Sequence, residues 1–119
     1  MQDMSNRARG QWGEARAAAY LRSVGFVVVD RNWRPPEREL RGDLDLVVRR
    51  HDLIVFCEVK ARRNARFGGG AVAVDRAKQQ RVRRLAASWL RQHELAHLDV
   101  RLDVIAIDGV RLTHYPAAF

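Results

Sequence analysis

The chain has 119 residues, 47% of them apolar, which suits one domain with one hydrophobic core over residues 1–119. Its formal net charge of +8 favours a polyanionic partner such as nucleic acid, although a solvated basic surface or a genomic arginine bias would also produce it. The single cysteine, Cys57, excludes an internal disulfide and a thiolate-rich metal site. With no signal peptide and no bilayer-length apolar run in the sequence, we expect a cytoplasmic protein without membrane contact.

The hydrophobic pattern predicts seven elements in the order αβββαββ. Helices are expected over 7–24 and after an N-cap at Asp75 as far as residue 90, and strands over 26–30, 43–48, 53–61, 99–108 and 110–115. Tight reversals are expected at His51-Asp52 and at Asp108-Gly109. This order predicts an α/β sandwich around one mixed sheet.

The segment HELAH, residues 93–97, matches the H-E-x-x-H signature of zinc hydrolases, in which His93 and His97 would bind zinc and Glu94 would activate water. No glutamate follows Glu94 to serve as a third ligand, and the motif falls at the predicted end of its helix. Histidines near a helix C-terminus are electrostatically favourable without a metal. A chance match is therefore the preferred interpretation, with a zinc hydrolase as a distant third function.

Strand parity places two carboxylates opposite each other. If His51-Asp52 is a two-residue loop, Arg50 opposes Leu53, and the same register sets Asp45 against Glu58. Opposed like charges destabilise a sheet, and a divalent cation such as magnesium would compensate them through hard oxygen ligands. A half-exposed hairpin with a ladder of acids and a lysine is the structural alternative.

Lysine is scarce in this chain. Only two of the 22 basic residues are lysines, Lys60 and Lys78. Lys60 shares the strand face of Glu58, where an ammonium group could orient or help to deprotonate an attacking water and offset phosphate charge. The pKa of an arginine side chain is too high for it to act as a base. A lysine here therefore indicates a position that arginine cannot fill.

The pattern Asp45, then Glu58-Val59-Lys60, resembles the split D…E-x-K motif of the PD-(D/E)xK phosphodiesterase superfamily. Five segments in order resemble more closely the YraN-like uncharacterised protein family. They are the Gly13-Glu14 helix opening, R-N-W-R at 31–34, G-D-L-D-L-V at 42–47, F-C-E-V-K at 56–60 and the helix at 75–90. The resemblance covers nearly the whole chain. Asp43 stands where this family usually has glutamate, and Cys57 stands where it has valine.

The resemblance implies a restriction endonuclease-like three-layer sandwich, with a central mixed sheet flanked by helices, similar to archaeal Holliday junction resolvases. It implies that Glu14, Asp45, Glu58 and Lys60 occupy active-site positions, with Asp43 behind the metal ligands. Glu14 also falls on the core-facing stripe of the first helix, which would aim it at the metal. Similarity to resolvases further implies a homodimer.

We therefore predict an endonuclease that hydrolyses DNA phosphodiesters and depends on Mg²⁺ or Mn²⁺. Asp45, Glu58 and Glu14 would be the metal ligands, and Lys60 would assist the water. The alternative is a non-catalytic module with the same fold that binds branched or single-stranded DNA. Expected phosphate contacts are the basic residues after the third strand and on the second helix: Arg62, Arg63, Arg66, Arg76, Lys78, Arg81, Arg83 and Arg84.

Overall fold

The computed structural model of the protein describes residues 5–62 and 74–119. It contains two helices and five strands in the predicted order. They are α1 (Asn6–Ser23), β1 (Val27–Trp33), β2 (Leu44–Arg50), β3 (Leu53–Arg62), α2 (Arg76–Gln92), β4 (Asp99–Asp108) and β5 (Arg111–Tyr115). No helix among these residues is both long and apolar enough to cross a membrane.

The five strands form one mixed sheet in the order β1-β2-β3-β4-β5. β3 and β4 pair in parallel, and the other neighbouring strands pair antiparallel. A parallel pair needs a long crossover, which α2 provides between these two strands. β3 therefore lies at the centre of the sheet, as its apolar residues on both faces predict.

The sheet is packed between two hydrophobic clusters, one on each face. Alternate residues of β3 divide between them: Val55 and Cys57 pack with α1, whereas Ile54 and Phe56 pack with α2. The helices thus cover opposite faces and complete a three-layer α/β sandwich. This architecture and element order agree with the predicted restriction endonuclease-like fold class.

Three local features differ from the sequence-based expectations. β1 continues to Trp33, beyond its predicted end at Asp30, because its pairing with β2 resumes after a register shift between Val28 and Asp30. The β4–β5 turn is displaced by one residue, since Asp108 pairs with Arg111 and the loop is Gly109-Val110. Gly109, at φ 61, supplies the left-handed conformation there. Finally, α2 ends at Gln92, before the HELAH segment.

A polar network ties the C-terminal segment to the sheet. The fully buried Asp103 carboxylate accepts hydrogen bonds from Arg101 at 2.8 Å and from the Ala117 backbone N–H at 2.9 Å. His114 Nε2 lies 2.7 Å from the same carboxylate, and its Nδ1 lies 2.9 Å from the Tyr20 hydroxyl. Each polar side chain of this network therefore has a partner, which gives the network a structural role.

Candidate active site

Asp45 and Glu58 lie side by side on β2 and β3. The hairpin register pairs Arg50 with Leu53 and ends at Leu46 and Cys57, so Asp45 and Glu58 are the residues directly beyond the last pair. Each carboxylate accepts a hydrogen bond from the main chain of the other strand. The Val59 N–H donates to Asp45 Oδ2 at 2.9 Å, and the Asp45 N–H donates to the Glu58 carboxylate. The predicted opposition of two carboxylates is therefore present.

Both carboxyl groups have raised pKa values. Burial, and next the Glu58 carboxylate, raise the pKa of Asp45 to about 7. Burial also raises the pKa of Glu58, which is only 4% exposed, although the Lys78 ammonium acts in the opposite direction. Repulsion between neighbouring buried carboxylates is relieved by a proton or by a cation. The pair thus has the electrostatic character of a cation site, which is common at functional centres.

The two lysines of the chain both lie beside this pair. Lys78 Nζ, reaching over from α2, is 3.4 Å from Glu58 Oε1. Lys60 follows Glu58 by two positions on the same strand and is partly exposed. Among residues 5–62 and 74–119, none forms an ion pair with Lys60. Lys78, expected as a phosphate contact, instead has Glu58 as its neighbour.

α1 brings Glu14 to the same end of the sheet. Gly13 makes this approach close, since a Cβ there would lie 2.7 Å from Ala61 Cβ on β3. Glu14 lines a cleft of about 620 Å³ together with Asn32 and Asp43. Burial raises the pKa of Glu14, and a hydrogen bond from the Asn32 side chain opposes that rise. Glu14 is therefore half-buried and facing the cleft, beside the acidic pair.

Asp43 links the acidic groups electrostatically. Its charge contributes to the raised pKa values of Glu14, Asp45 and Glu58, and the charge of Glu14 contributes to that of Asp45. The four carboxylates thus form one acidic region at the end of β2 and β3. Of the predicted site residues, Asp45 and Glu58 lie directly beyond the last β2–β3 pair and are joined by main-chain hydrogen bonds, whereas Glu14 and Asp43 lie around them.

The donor set suits a hydrated divalent cation rather than a fully protein-bound one. Within the described parts of the chain, no three His, Cys, Asp or Glu side chains are close enough to share one metal ion. Asp45 and Glu58 offer hard carboxylate oxygens, and Mg²⁺ commonly binds one or two carboxylates while keeping several waters. The pair therefore fits such an ion, and Glu14 is not placed as a direct third ligand.

The remaining predicted phosphate contacts are spread over the surface. Arg76, Arg81, Arg83 and Arg84 of α2 are all exposed, as is Arg62 at the end of β3. Arg81 extends over Gly42, whereas the Arg83 guanidinium lies 5.7 Å from the centre of the Phe119 ring. Arg63 and Arg66 lie outside the described residues.

The HELAH segment lacks the helical geometry that a zinc signature requires. His93 caps α2, and Glu94 has a left-handed φ of 56, so His93 and His97 do not lie one helical turn apart. The His93 ring stacks on Trp89 at a centroid distance of 4.0 Å, and its Nδ1 lies 2.8 Å from the Trp89 carbonyl oxygen. The zinc hydrolase interpretation is wrong in its geometric premise, and His93 extends the packed face of α2.

Two residues gain importance that sequence reasoning did not give them. The Asn32 side chain forms a hydrogen bond with Glu14. The Asn32 backbone is left-handed, with φ 48, a conformation that asparagine tolerates better than most residues. Lys78 neutralises Glu58 from a different layer of the fold. Asn32 stands inside the R-N-W-R segment, and Lys78 is one of only two lysines, so each had a signal in the sequence.

The fold and the site together define a three-layer α/β domain with an acidic centre, accompanied by lysines, at one end of its central strands. The chain belongs to the uncharacterised protein family UPF0102, whose model matches residues 13–107. This membership confirms the resemblance to YraN-like proteins.

Curated relatives match over nearly their whole length. A UPF0102 protein of Frankia casuarinae is 45% identical over 117 residues, covering 94% of this chain and 96% of the relative. One of Frankia alni is 44% identical, covering 94% of each chain. A UPF0102 protein of Syntrophotalea carbinolica is 41% identical over 114 residues, with 92% and 89% coverage. These similarities establish the family and assign no reaction.

Proposed function

We propose that this protein is a metal-dependent endonuclease that hydrolyses phosphodiester bonds in DNA. The observation that supports the proposal best is the pairing of the buried Glu58 carboxylate with the half-buried Asp45 carboxylate in a protein with a net charge of +8. A strongly basic chain that keeps two carboxylates together at a cost in repulsion is expected to use them. The resemblance of Asp45, Glu58 and Lys60 to a D…E-x-K motif points to the same chemistry.

In this proposal Asp45 and Glu58 would be the residues that hold Mg²⁺ or Mn²⁺. The ion would supply Lewis-acid stabilisation of the phosphate charge and lower the pKa of a water molecule. Glu14, held by Asn32, orients water at the edge of the cleft. Lys60, without an ion-pair partner among the described side chains, orients the attacking water and offsets charge on phosphorus. The water oxygen would bond to phosphorus as one ester P–O bond breaks; the water would release a proton to solvent, and the leaving sugar oxygen would take one up.

A DNA cleavage assay with a parallel metal-binding measurement tests this function. Labelled single-stranded, duplex and branched DNA are incubated with Mg²⁺ or Mn²⁺ and with the Asp45→Asn and Lys60→Ala variants. The exposed Asp99→Asn variant serves as the matched control. We expect metal-dependent products that fall at least ~100-fold in the first two variants, because each removes transition-state stabilisation of several kcal/mol. Calorimetric Mn²⁺ titration should lose its heat in Asp45→Asn and retain it in Lys60→Ala.

A non-catalytic DNA-binding module with the same fold is the second candidate. Two observations favour it: Lys78 already pairs with Glu58, and no third carboxylate joins the pair in the described part of the chain. Under this alternative the acidic pair is a structural remnant neutralised by a lysine. DNA binding without cleavage under any metal condition, unchanged in Asp45→Asn, would favour the module over the enzyme.

A further inference from the structure

Two cavities adjoin each other next to the acidic pair. The cleft of about 620 Å³ is lined by the first half of α1, including Arg7, and by the end of β1. A second cavity, of about 450 Å³, lies within the loop 34–43 that connects β1 to β2. Arg34 and Asp43 line both cavities, which therefore meet at these two residues. Asp43 precedes Asp45 by two residues, immediately before the start of β2, so the junction lies next to the acidic pair.

Exposed arginines line the cavities on both sides of this junction. Arg7 lies in the larger cavity, Arg38 and Arg41 lie in the smaller one, and Arg34 stands between them. Arginine presents a planar fork of donors that matches phosphate oxygens. The arrangement places phosphate-binding groups on both sides of the junction at Arg34 and Asp43.

The loop that presents Arg38 and Arg41 is anchored to α2. The two carboxylate oxygens of Glu37 lie 3.0 and 2.9 Å from the Oγ of Ser88, which is fully buried. Arg91 lies 3.7 Å from the same carboxylate, and Leu40 packs against the α2-side core. The loop is therefore held by buried contacts, so its arginines start from a defined position and lose less entropy on binding.

We propose that the joined cavities bind the phosphodiester backbone of one DNA strand, with Arg7, Arg38 and Arg41 as phosphate contacts on the two sides of the Arg34–Asp43 junction. This inference rests on the proposed function, because it specifies the track, that is, the surface along which the DNA strand would lie. A cavity of a few hundred Å³ accommodates a molecule of drug size. A short single-stranded segment has that size, whereas a duplex is larger. Contacts of this kind position a strand without reading its bases.

The competing track is the exposed face of α2, which was the expectation from sequence. Arg83 there is stacked near the Phe119 ring, and Arg84 projects from the same helix. Neither Arg83 nor Arg84 lines either of the two cavities that share Arg34 and Asp43. The two tracks use different arginines, so substitution separates them.

Salt-dependent binding of a single-stranded oligonucleotide tests the track without requiring cleavage. Fluorescence anisotropy of a labelled 20-residue oligonucleotide is followed from about 50 to 300 mM KCl in EDTA. Each phosphate contact contributes about 0.7 to the slope of log K against log salt for single strands. The triple variant Arg7→Gln/Arg38→Gln/Arg41→Gln should lower the slope by about 2. Matched controls are Arg22→Gln at the far end of α1 and Arg83→Gln/Arg84→Gln on α2.

The outcomes separate this inference from the proposed function. A slope lowered in the triple variant and unchanged in both controls supports the track. A slope unchanged in the triple variant, or lowered equally by the α2 controls, overturns it while leaving DNA binding intact. Absence of binding by the unaltered protein to single-stranded, duplex and branched DNA would overturn the proposed function as well. Because the substituted arginines are exposed, far-UV circular dichroism should confirm the native fold in every variant.

Discussion

Replacing Asp45 by asparagine should stabilise the protein at alkaline pH in the absence of divalent cations. Burial and the neighbouring Glu58 carboxylate raise the pKa of Asp45 from 3.8 to about 7, a difference of about 3 pKa units. At 1.36 kcal/mol per unit this corresponds to about 4 kcal/mol. Since Asp45 keeps some contact with water, we expect about half of this value, ~2 kcal/mol, above pH 8.

The sign of the effect follows from proton binding. Between pH 3.8 and about 7 the folded protein binds a proton at Asp45 that the unfolded chain has lost, so raising the pH destabilises the fold. Asparagine stays neutral and can still accept the hydrogen bond from the Val59 N–H. The gain should therefore be near zero below pH 4 and complete above pH 8.

Urea unfolding at pH 4, 6 and 8 in EDTA measures this gain. With a denaturant slope of 1–3 kcal/mol per molar urea, the expected shift of the midpoint at pH 8 is about 1 M. Asp99→Asn, an exposed carboxylate at the start of β4, should show no such shift. Added Mg²⁺ should stabilise the unaltered protein more than Asp45→Asn. A variant no more stable than the unaltered protein at pH 8 would refute the reasoning.

Three further predictions concern the surrounding scaffold. Gly13→Ala should lower the free energy of unfolding, measured by urea titration, by about 1–3 kcal/mol, because the new Cβ would lie 2.7 Å from Ala61 Cβ. The control Gly10→Ala, whose Cβ would have nothing within 4 Å, should raise the free energy of unfolding by up to ~1 kcal/mol. Asn32→Gly should weaken Mn²⁺ binding and leave the free energy of unfolding unchanged. Asn32→Ala should weaken Mn²⁺ binding and also lower the free energy of unfolding by ~1 kcal/mol, because alanine is strained at φ 48. Equal free energies of unfolding for the two variants would contradict that strain. Asp103→Ala should cost about 3 kcal/mol at pH 7. Although burial opposes it, hydrogen bonding lowers the pKa of Asp103, so its stabilisation is present above the unfolded pKa and should vanish as pH falls through the folded value in acid titrations.

The fold and the central pair were predictable because both follow from local periodicity. Alternation along β2 and β3, together with a two-residue loop at His51-Asp52, fixes the register that opposes Asp45 and Glu58. His51 adopts φ 54 to allow that loop, although its side chain does not favour the conformation. The N-cap at Asp75 was also correct, since its side chain accepts the Lys78 N–H at 2.8 Å.

The contacts between layers were not predictable in the same way. That Lys78 of α2 reaches Glu58 depends on the rotation and depth of a helix packed on the sheet, which periodicity does not determine. The left-handed conformation of Asn32 occurs between two residues that pair with β2, Arg31 and Trp33, and follows a register shift that no residue pattern marks. The displaced β4–β5 turn has a simpler cause: Asp-Gly is a common turn pair, but here Asp108 still pairs with Arg111, so β5 begins one residue later than predicted.

The near absence of lysine has a practical consequence for chemical modification. Lys60 and Lys78 are the only side-chain primary amines in the chain, and they adjoin the same glutamate by sequence and by ion pairing, respectively. An amine-selective reagent at mildly alkaline pH therefore has two side-chain targets, both beside the acidic centre, and twenty arginines that do not react. The extent of labelling, read by mass spectrometry with and without a ligand, would report directly on occupancy of that centre.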